Sequence, residues 1–289
     1  MRDLVYRVQA YALRALVACL RPLSMPARRR ILGAVTEWVV RLSPLRRRVR
    51  MNLRLVWPDM PEAERRQLSH EAARNVGRTL ASVWFNEDFA QEAADLDAHG
   101  EGLAALRAAR AEGRGAILLS GHYGQWEAVR VILRREGIEA GAIYRPSNNP
   151  YYDPIFKRGL EAGGRPIVAK GRAGNRDLLR ALRGGAVMAI LPDQHVKGAP
   201  YLDYLGHPAR TSLAAAELAL RYDLPLIPTF APEIDGRPVV TLEAPIPHTD
   251  AETMMRVFND RLSSWVARYP SQWYWLHRRW KVKGGRAAR

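Results

Sequence analysis

From about residue 113 onward, short apolar runs alternate with segments of helical spacing, and no other feature constrains the fold as much. The runs at 115–120, 140–144, 166–169 and 186–191 read as buried strands, and 126–135, 152–162 and 177–182 as the helices between them. A helix over 212–222 leads to two further strands, 225–232 and 238–243. The prolines in 225–232 mark it as an edge or irregular strand. A closing helix covers 253–269. Upstream, Pro58 and Pro61 bracket a turn, and 62–89 reads as one long helix carrying Leu68, Ala72, Val76, Leu80 and Val83 at helical spacing. This order predicts an α/β fold, a mostly parallel sheet covered by helices. Ligands of such sheets bind beyond the carboxyl ends of the strands.

The loop after the first strand reads Gly121-His122-Tyr123-Gly124-Gln125-Trp126-Glu127. His122 falls on the loop and Glu127 in the first helical turn, so the carboxylate is expected to swing back to the imidazole. A carboxylate on one ring nitrogen fixes the tautomer and leaves the other nitrogen as a general base. There is no G-x-S-x-G elbow. The lone cysteine, Cys19, lies in an apolar stretch with no activating neighbour, and by itself excludes a disulfide framework or a Cys-based zinc site. A base without an enzyme nucleophile points to a hydroxyl of the substrate as the nucleophile. A core or capping histidine is the competing reading.

Residues 4–23 are largely apolar but carry Arg7, Arg14 and Arg21, seven apart and so close to one helical face. Leu4, Val8, Tyr11, Ala15, Ala18 and Cys19 lie opposite. Three arginines disfavour a spanning helix; the pattern is that of an interfacial amphipathic helix. Residues 31–42 repeat it with Ile31, Leu32, Val35, Trp38, Val39 and Leu42 between basic clusters at 28–30 and 46–48. Either these two helices meet an anionic membrane surface, or they are core helices with basic outer faces. The net charge of +16, with only five lysines among 45 basic residues, suits anionic partners bound by planar guanidinium groups.

Several blocks together carry a resemblance. Gly121 to Glu127 resembles the H-x4-D/E motif of the glycerolipid and lysophospholipid acyltransferase superfamily, and is most similar to its bacterial lipid A late (secondary) lauroyl/myristoyl acyltransferase branch. Tyr144-Arg145-Pro146-Ser147-Asn148-Asn149-Pro150 resembles the Y-R-P-x-x-N-P block, and Leu191-Pro192-Asp193-Gln194 the P-D-Q block. Residues 272–280 (Q-W-Y-W-L-H-R-R-W) resemble the C-terminal signature, and 47–58 the N-terminal R-x-N-L block. The resemblance spans about residues 45–281. It implies a glycerol-3-phosphate-acyltransferase-like fold over 46–289, behind membrane-associating helices in 1–45. The implied reaction moves a fatty acyl chain from an acyl carrier protein thioester to a hydroxyl of a lipid A precursor. His122 would be the base, Glu127 its orienter, and N–H groups near Gly124 or a nearby arginine the oxyanion donors. No metal and no redox cofactor is implied; acyl carrier protein or coenzyme A brings the acyl chain. The implied location is the cytoplasmic face of the inner membrane.

The other blocks have two readings each. Arg145 and Arg158 bind phosphate of the acceptor or of the donor's phosphopantetheine, or Arg145 pairs with a structural carboxylate. Asn149 contacts ligand or holds an Asx turn. Lys170-Gly171-Arg172 is a phosphate loop or a solvent turn. Asp193, with Gln194 at the site, orients another site group or caps a turn; a metal trio of Asp193, His195 and His207 is disfavoured. Tyr201 to Tyr204 with Leu205-Gly206 resemble a weakened F-F-G block that would line an acyl groove. Thr211-Ser212 reads as an N-cap. Trp273, Trp275 and Trp280 with Arg278 and Arg279 suit a membrane interface or an internal Arg–Trp stack. Nucleic acid is not expected, since no binding motif accompanies the basic charge. The rival functions are acylation of a mannoside, ornithine lipid or lysophospholipid, and a non-catalytic binding protein on a decayed enzyme fold.

Overall fold

The computed structural model describes residues 2–283 and 286–287. Four helices open the chain: α1 (Arg2–Leu20), α2 (Met25–Leu42), α3 (Leu45–Val56) and α4 (Glu62–Trp84). A short α5 (Asn86–Glu92) follows. The single helix expected over 62–89 is therefore two. It breaks at Phe85, whose φ of −117° and ψ of 44° leave the helical region. The Phe85 ring is buried there beneath the Arg28 guanidinium, 4.3 Å from the ring centre.

The alternating region then runs β1 (Ala98–His99), α6 (Glu101–Ala111), β2 (Ala116–Leu119), α7 (Glu127–Arg135), β3 (Ala140–Tyr144), α8 (Asp153–Gly163), β4 (Ile167–Ala169), α9 (Arg172–Arg183) and β5 (Val187–Ile190). A hairpin of β6 (Tyr201–Tyr204) and β7 (His207–Arg210) leads to α10 (Ala214–Tyr222) and β8 (Leu226–Phe230). Last come the ribbon β9 (Glu233–Ile234) and β10 (Arg237–Pro238), then β11 (Val240–Leu242) and α11 (Ala251–Arg268). The main sheet has the order β1-β11-β8-β2-β5-β3-β4, and only the β11–β8 neighbours are antiparallel.

The expected α/β architecture with a mostly parallel sheet is thus present, and the strand pattern has a simple cause. Alternate residues of a strand point to opposite faces. Ile117 and Leu119 enter one core with Met188, Phe258 and Leu262, while Ala116 and Leu118 enter the other with Val187, Ile132 and Phe89. Both faces are covered, so every residue of β2 is apolar and buried.

Of the two alternatives for 225–232, the edge strand is overturned: β8 lies inside the sheet, between β11 and β2, and its irregularity is at Pro228. Pro228 accepts a hydrogen bond from the Glu243 N–H at 2.8 Å but has no N–H to return one, and β11 ends at Leu242. The two ladders of β8 change over at this proline: Leu226 to Pro228 pair with β2, and Thr229 and Phe230 pair with β11.

Three further expectations change. Tyr204 does not line an acyl groove; it is buried between Trp273 and Trp280, with ring centres at 5.3 and 5.7 Å. The aromatic-cationic cluster is internal, with Trp273, Trp275, Trp280 and Arg279 all buried, but the Arg279 guanidinium lies over the Tyr204 ring, 5.0 Å from its centre, and not over a tryptophan. Thr211 is no N-cap, because its hydroxyl accepts from Arg279 at 2.7 Å, whereas the Ser212 hydroxyl does accept from the Ala214 N–H at the start of α10, at 3.3 Å.

Of α1, only Ala10 and Leu20 are buried; Tyr6, Leu13, Leu16 and Val17 are half-buried on the same side. Leu4, Val5, Val8 and Tyr11 point away, each more than half exposed. In α2, Trp38 and Leu42 are likewise exposed, at 63% and 66%. No helix among the described residues is long and apolar enough to cross a membrane.

α2 lies directly on α4. A Cβ at Gly77 of α4 would sit 2.1 Å from the Leu32 carbonyl oxygen, so only glycine allows the two backbones to touch. We expect Gly77→Ala to force them apart and to lower unfolding stability by about 1–3 kcal/mol in denaturant titration. An unchanged midpoint would show that the contact is not closely packed.

Candidate active site

β2 and β5 are neighbours, with Leu119 in register with Ile190. The residues that follow them, His122 and Asp193, therefore leave the sheet side by side. The Asp193 carboxylate is buried and accepts three hydrogen bonds. His122 Nδ1–H donates to Oδ1 at 2.7 Å; the His122 backbone N–H and the Trp273 indole N–H donate to Oδ2 at 2.8 and 2.9 Å. Burial works against ionisation, but the adjacent imidazole and these donors outweigh it and hold the carboxyl down at about 2. With Nδ1 carrying the proton toward Asp193, Nε2 keeps its lone pair. It meets the Gln194 side-chain amide at 3.4 Å. Trp126 and Tyr274 wall the ring, with centres at 5.5 and 5.9 Å, and 24% of the His122 side chain stays exposed.

The loop itself is held by the C-terminal segment. Tyr123 bridges Trp273 in antiparallel fashion, the Gly124 N–H donates to the Gln272 carbonyl at 2.9 Å, and the Tyr274 N–H donates to the His122 carbonyl at 3.0 Å. Gly124 has φ +59°, and a Cβ there would lie 2.2 Å from the Ala231 carbonyl oxygen. This glycine serves close packing. Its N–H is committed to Gln272, which corrects the expectation that it would donate to an oxyanion.

Glu127 is not the partner of His122. It is buried at the start of α7 and binds Arg130, whose Nη1 donates to both carboxylate oxygens at 3.1 and 2.9 Å. Arg130 also donates to the carbonyls of Ala140, Leu160 and Gly164. The pair ties α7 to β3 and to the end of α8. The physical reason is helical geometry: residues three apart share a face, whereas His122 sits on a loop pulled toward β5 and the C-terminal segment. Burial pushes the Glu127 carboxyl up, against the pull of Arg130.

Asn149 does not face a ligand either. Its Nδ2 donates to the Tyr6 carbonyl and to Gln9 of α1, and its Oδ1 accepts from the Tyr151 and Tyr152 N–H groups. It holds an Asx turn and clasps α1 to the loop after β3. Arg145 follows β3, Arg158 lies on α8, and Lys170 and Arg172 flank Gly171 after β4. All four are exposed and have no carboxylate within ion-pair distance among the described residues, so Arg145 is not a structural pair. Arg145, Lys170 and Arg172 follow the carboxyl ends of β3 and β4, Arg158 lies midway along α8, and none of the four bonds to His122. Asp193, His195 and His207 do not converge. The described residues hold no group of three or more His, Cys, Asp or Glu that could bind a metal. Trp273 and Tyr274 were not singled out as neighbours of the base; the C-terminal signature containing them was the available signal.

An imidazole held at Nδ1 by a buried carboxylate, with Nε2 turned to the partly open side at the carboxyl ends of a parallel sheet, is an arrangement that can accept a proton from a hydroxyl. The family description "Bacterial lipid A biosynthesis acyltransferase" matches residues 2–282. The chain is 26% identical over 253 residues to the lipid A biosynthesis lauroyltransferase of Escherichia coli (strain K12), covering 81% of this chain and 78% of that one. It is 25% identical over 256 residues to the palmitoleoyltransferase of the same organism, covering 81% and 78%. A phosphatidylinositol mannoside acyltransferase of Mycobacterium tuberculosis (strain ATCC 25618 / H37Rv) is 25% identical over 199 residues, 65% of this chain and 61% of that one. The chain belongs to the bacterial lipid A biosynthesis acyltransferase family and is an O-acyltransferase.

Two outcomes follow from these contacts. Glu127→Ala leaves the Arg130 guanidinium buried without its anion, and we expect it to cost about 3–5 kcal/mol of stability. A variant as stable as the wild type in denaturant would remove Glu127 from the framework. His277 accepts a hydrogen bond at Nε2 from the His195 N–H at 3.0 Å, and burial, reinforced by nearby cations, lowers its pKa to about 4 against 6.5 for the free side chain. The unfolded chain binds the proton first, so this contribution is intact above about pH 6.5 and is lost as pH falls toward 4. The wild-type Tm should fall over that window, and His277→Gln should fall less.

Proposed function

We propose that this enzyme transfers a fatty acyl chain from an acyl carrier protein thioester to a hydroxyl of a lipid A precursor, with His122 as general base oriented by Asp193. The observation that carries this reading is the His122 ring: Nδ1 is engaged by a buried carboxylate, Nε2 meets only the Gln194 side-chain amide at 3.4 Å among the described residues, and the ring is partly open. Nε2 takes the proton of the acceptor hydroxyl as its oxygen attacks the thioester carbonyl. The tetrahedral intermediate collapses, an ester bond forms, the C–S bond breaks, and the imidazolium returns its proton to the departing thiolate. Asp193 stabilises that imidazolium without itself taking the proton. The Gln194 amide, 3.4 Å from Nε2, is the donor we assign to the oxyanion. Arg145, Arg158, Lys170 and Arg172 are the unpaired cations we assign to phosphates of the acceptor or of the donor's phosphopantetheine.

Residues 1–45 form the membrane-associating part of this reading, and 46–289 the acyltransferase part, of which 284–285 and 288–289 lie outside the described residues. Support comes from α1: its apolar face turned away from the protein is bordered by Arg7, Arg14 and Arg21, the arrangement of a helix lying at a lipid interface. The +16 net charge attracts both an acidic carrier protein and an anionic inner-membrane surface.

The test is acyl transfer by the purified chain, comparing carrier-protein and coenzyme A donors and a lipid A precursor against a mannoside. Carrier-protein donor and lipid A precursor should be preferred. His122→Ala and Asp193→Asn should each lower kcat by about 10²–10⁴-fold, and Gln194→Ala by about 10²-fold, with Tm retained in each. Near wild-type turnover by His122→Ala would end the assignment.

A further inference from the structure

We propose that the cleft between α2, α3 and the first turns of α4 is a second, non-catalytic site that binds the phosphate of a membrane-lipid headgroup. The cleft has a volume of about 270 Å³ and is lined by Arg41, Arg46, Arg50 and Arg66 with His70 and Glu37. Its single acid is already in use: Glu37 Oε1 meets His70 Nδ1 at 2.9 Å, and Oε2 binds Arg74. Arg50 shares Glu62 with Arg54 and Arg65. Arg41, Arg46 and Arg66 have no carboxylate within ion-pair distance among the described residues. The Arg50 Nε is buried with no acceptor. Burial lowers the affinity of Arg50 for its proton, and Arg54, Arg46 and Arg66 lower it further by repulsion. An anion in the cleft relieves this repulsion and supplies the missing acceptor.

Guanidinium groups bind phosphate through paired N–H donors, and four of them around one small cleft suit a phosphate better than a lone carboxylate. The volume lies just below the usual range of about 300–1,000 Å³ for small-ligand sites, which fits a headgroup and not a whole lipid. The lipid source is argued from place. Arg41 separates the cleft from the exposed apolar stripe of Trp38, Val39 and Leu42 on α2, so an anionic headgroup would meet the cleft as its acyl chains meet the stripe. No lining residue bonds to His122, Asp193 or Gln194. The inference rests on the membrane-facing part of the proposed function and not on its chemistry.

The experiment compares the full chain with Arg46→Gln/Arg66→Gln on three vesicle types: phosphatidylcholine alone, phosphatidylcholine with phosphatidate, and phosphatidylcholine with a fatty-acid carboxylate at matched surface charge. Inorganic phosphate is added as a competitor in a parallel arm. Binding to phosphatidylcholine alone, whose phosphodiester is esterified and neutralised by choline and leaves no anionic phosphomonoester for the four guanidinium groups, reports the apolar faces and should not change. Phosphatidate-dependent binding should drop about tenfold or more, and carboxylate-dependent binding much less. Acyl transfer to a detergent-dispersed acceptor should be retained. Equal loss on both anionic vesicles reduces the cleft to diffuse charge and overturns the proposal. So does an unchanged affinity for phosphatidate, a site filled by free phosphate with no vesicle difference, or a variant that loses only carrier-protein binding. Should the double variant fold poorly, Arg41→Gln alone carries the same comparison.

Discussion

One buried carboxylate organises the catalytic end of this molecule. Asp193 sits at the end of β5 with three donors aimed at it, two from His122 and one from Trp273. Removing a charge from water is costly unless hydrogen bonds and opposite charge replace the lost hydration. That requirement brings together three distant parts of the chain: the loop after β2, the end of β5 and the C-terminal signature. The same contacts fix the ring's orientation, so the interaction that makes the buried charge tolerable also turns Nε2 toward the open side.

The surrounding framework holds these parts in register. Asn52 of α3 donates to the carbonyls of Trp275 and His277, and Arg48 to that of Leu276, so the N-terminal and C-terminal blocks of the sequence are a single clamp. Asn75 of α4 donates to the Gln272 carbonyl from the other side. On the opposite flank, Glu127 and Arg130 secure α7 against β3 and α8. The two acidic residues near the histidine thus divide the labour: Asp193 touches the imidazole, and Glu127 supports the helix that begins where the loop ends.

The N-terminal helix is joined to this end of the sheet. Asn149 and Tyr151, on the loop that follows β3, bind Tyr6, Gln9 and Asp3 of α1. The loop that carries Arg145 is therefore fastened to the helix whose apolar face is unpartnered by the protein. A short chain of hydrogen bonds thus links α1 to the loop that carries Arg145.

Much of the architecture was legible in the chain itself. Doubly buried strands must be apolar throughout and helices must return to the next parallel strand, so the alternation from residue 113 onward determined the α/β class, and β3 appeared at its expected bounds. His122 was legible because a histidine between two glycines at a strand end has few structural uses. Its partner was not. Spacing along the chain favoured Glu127, five residues away, whereas Asp193 is 71 residues distant and becomes a neighbour only because β2 and β5 are adjacent in the sheet. The place of Pro228 inside the sheet, the burial of the tryptophan cluster and the use of Asn149 as a clasp were likewise decided by tertiary packing. Local sequence records which residues can bury surface or carry charge; which of them share a carboxylate depends on strand order, and strand order is set by the sum of long-range contacts.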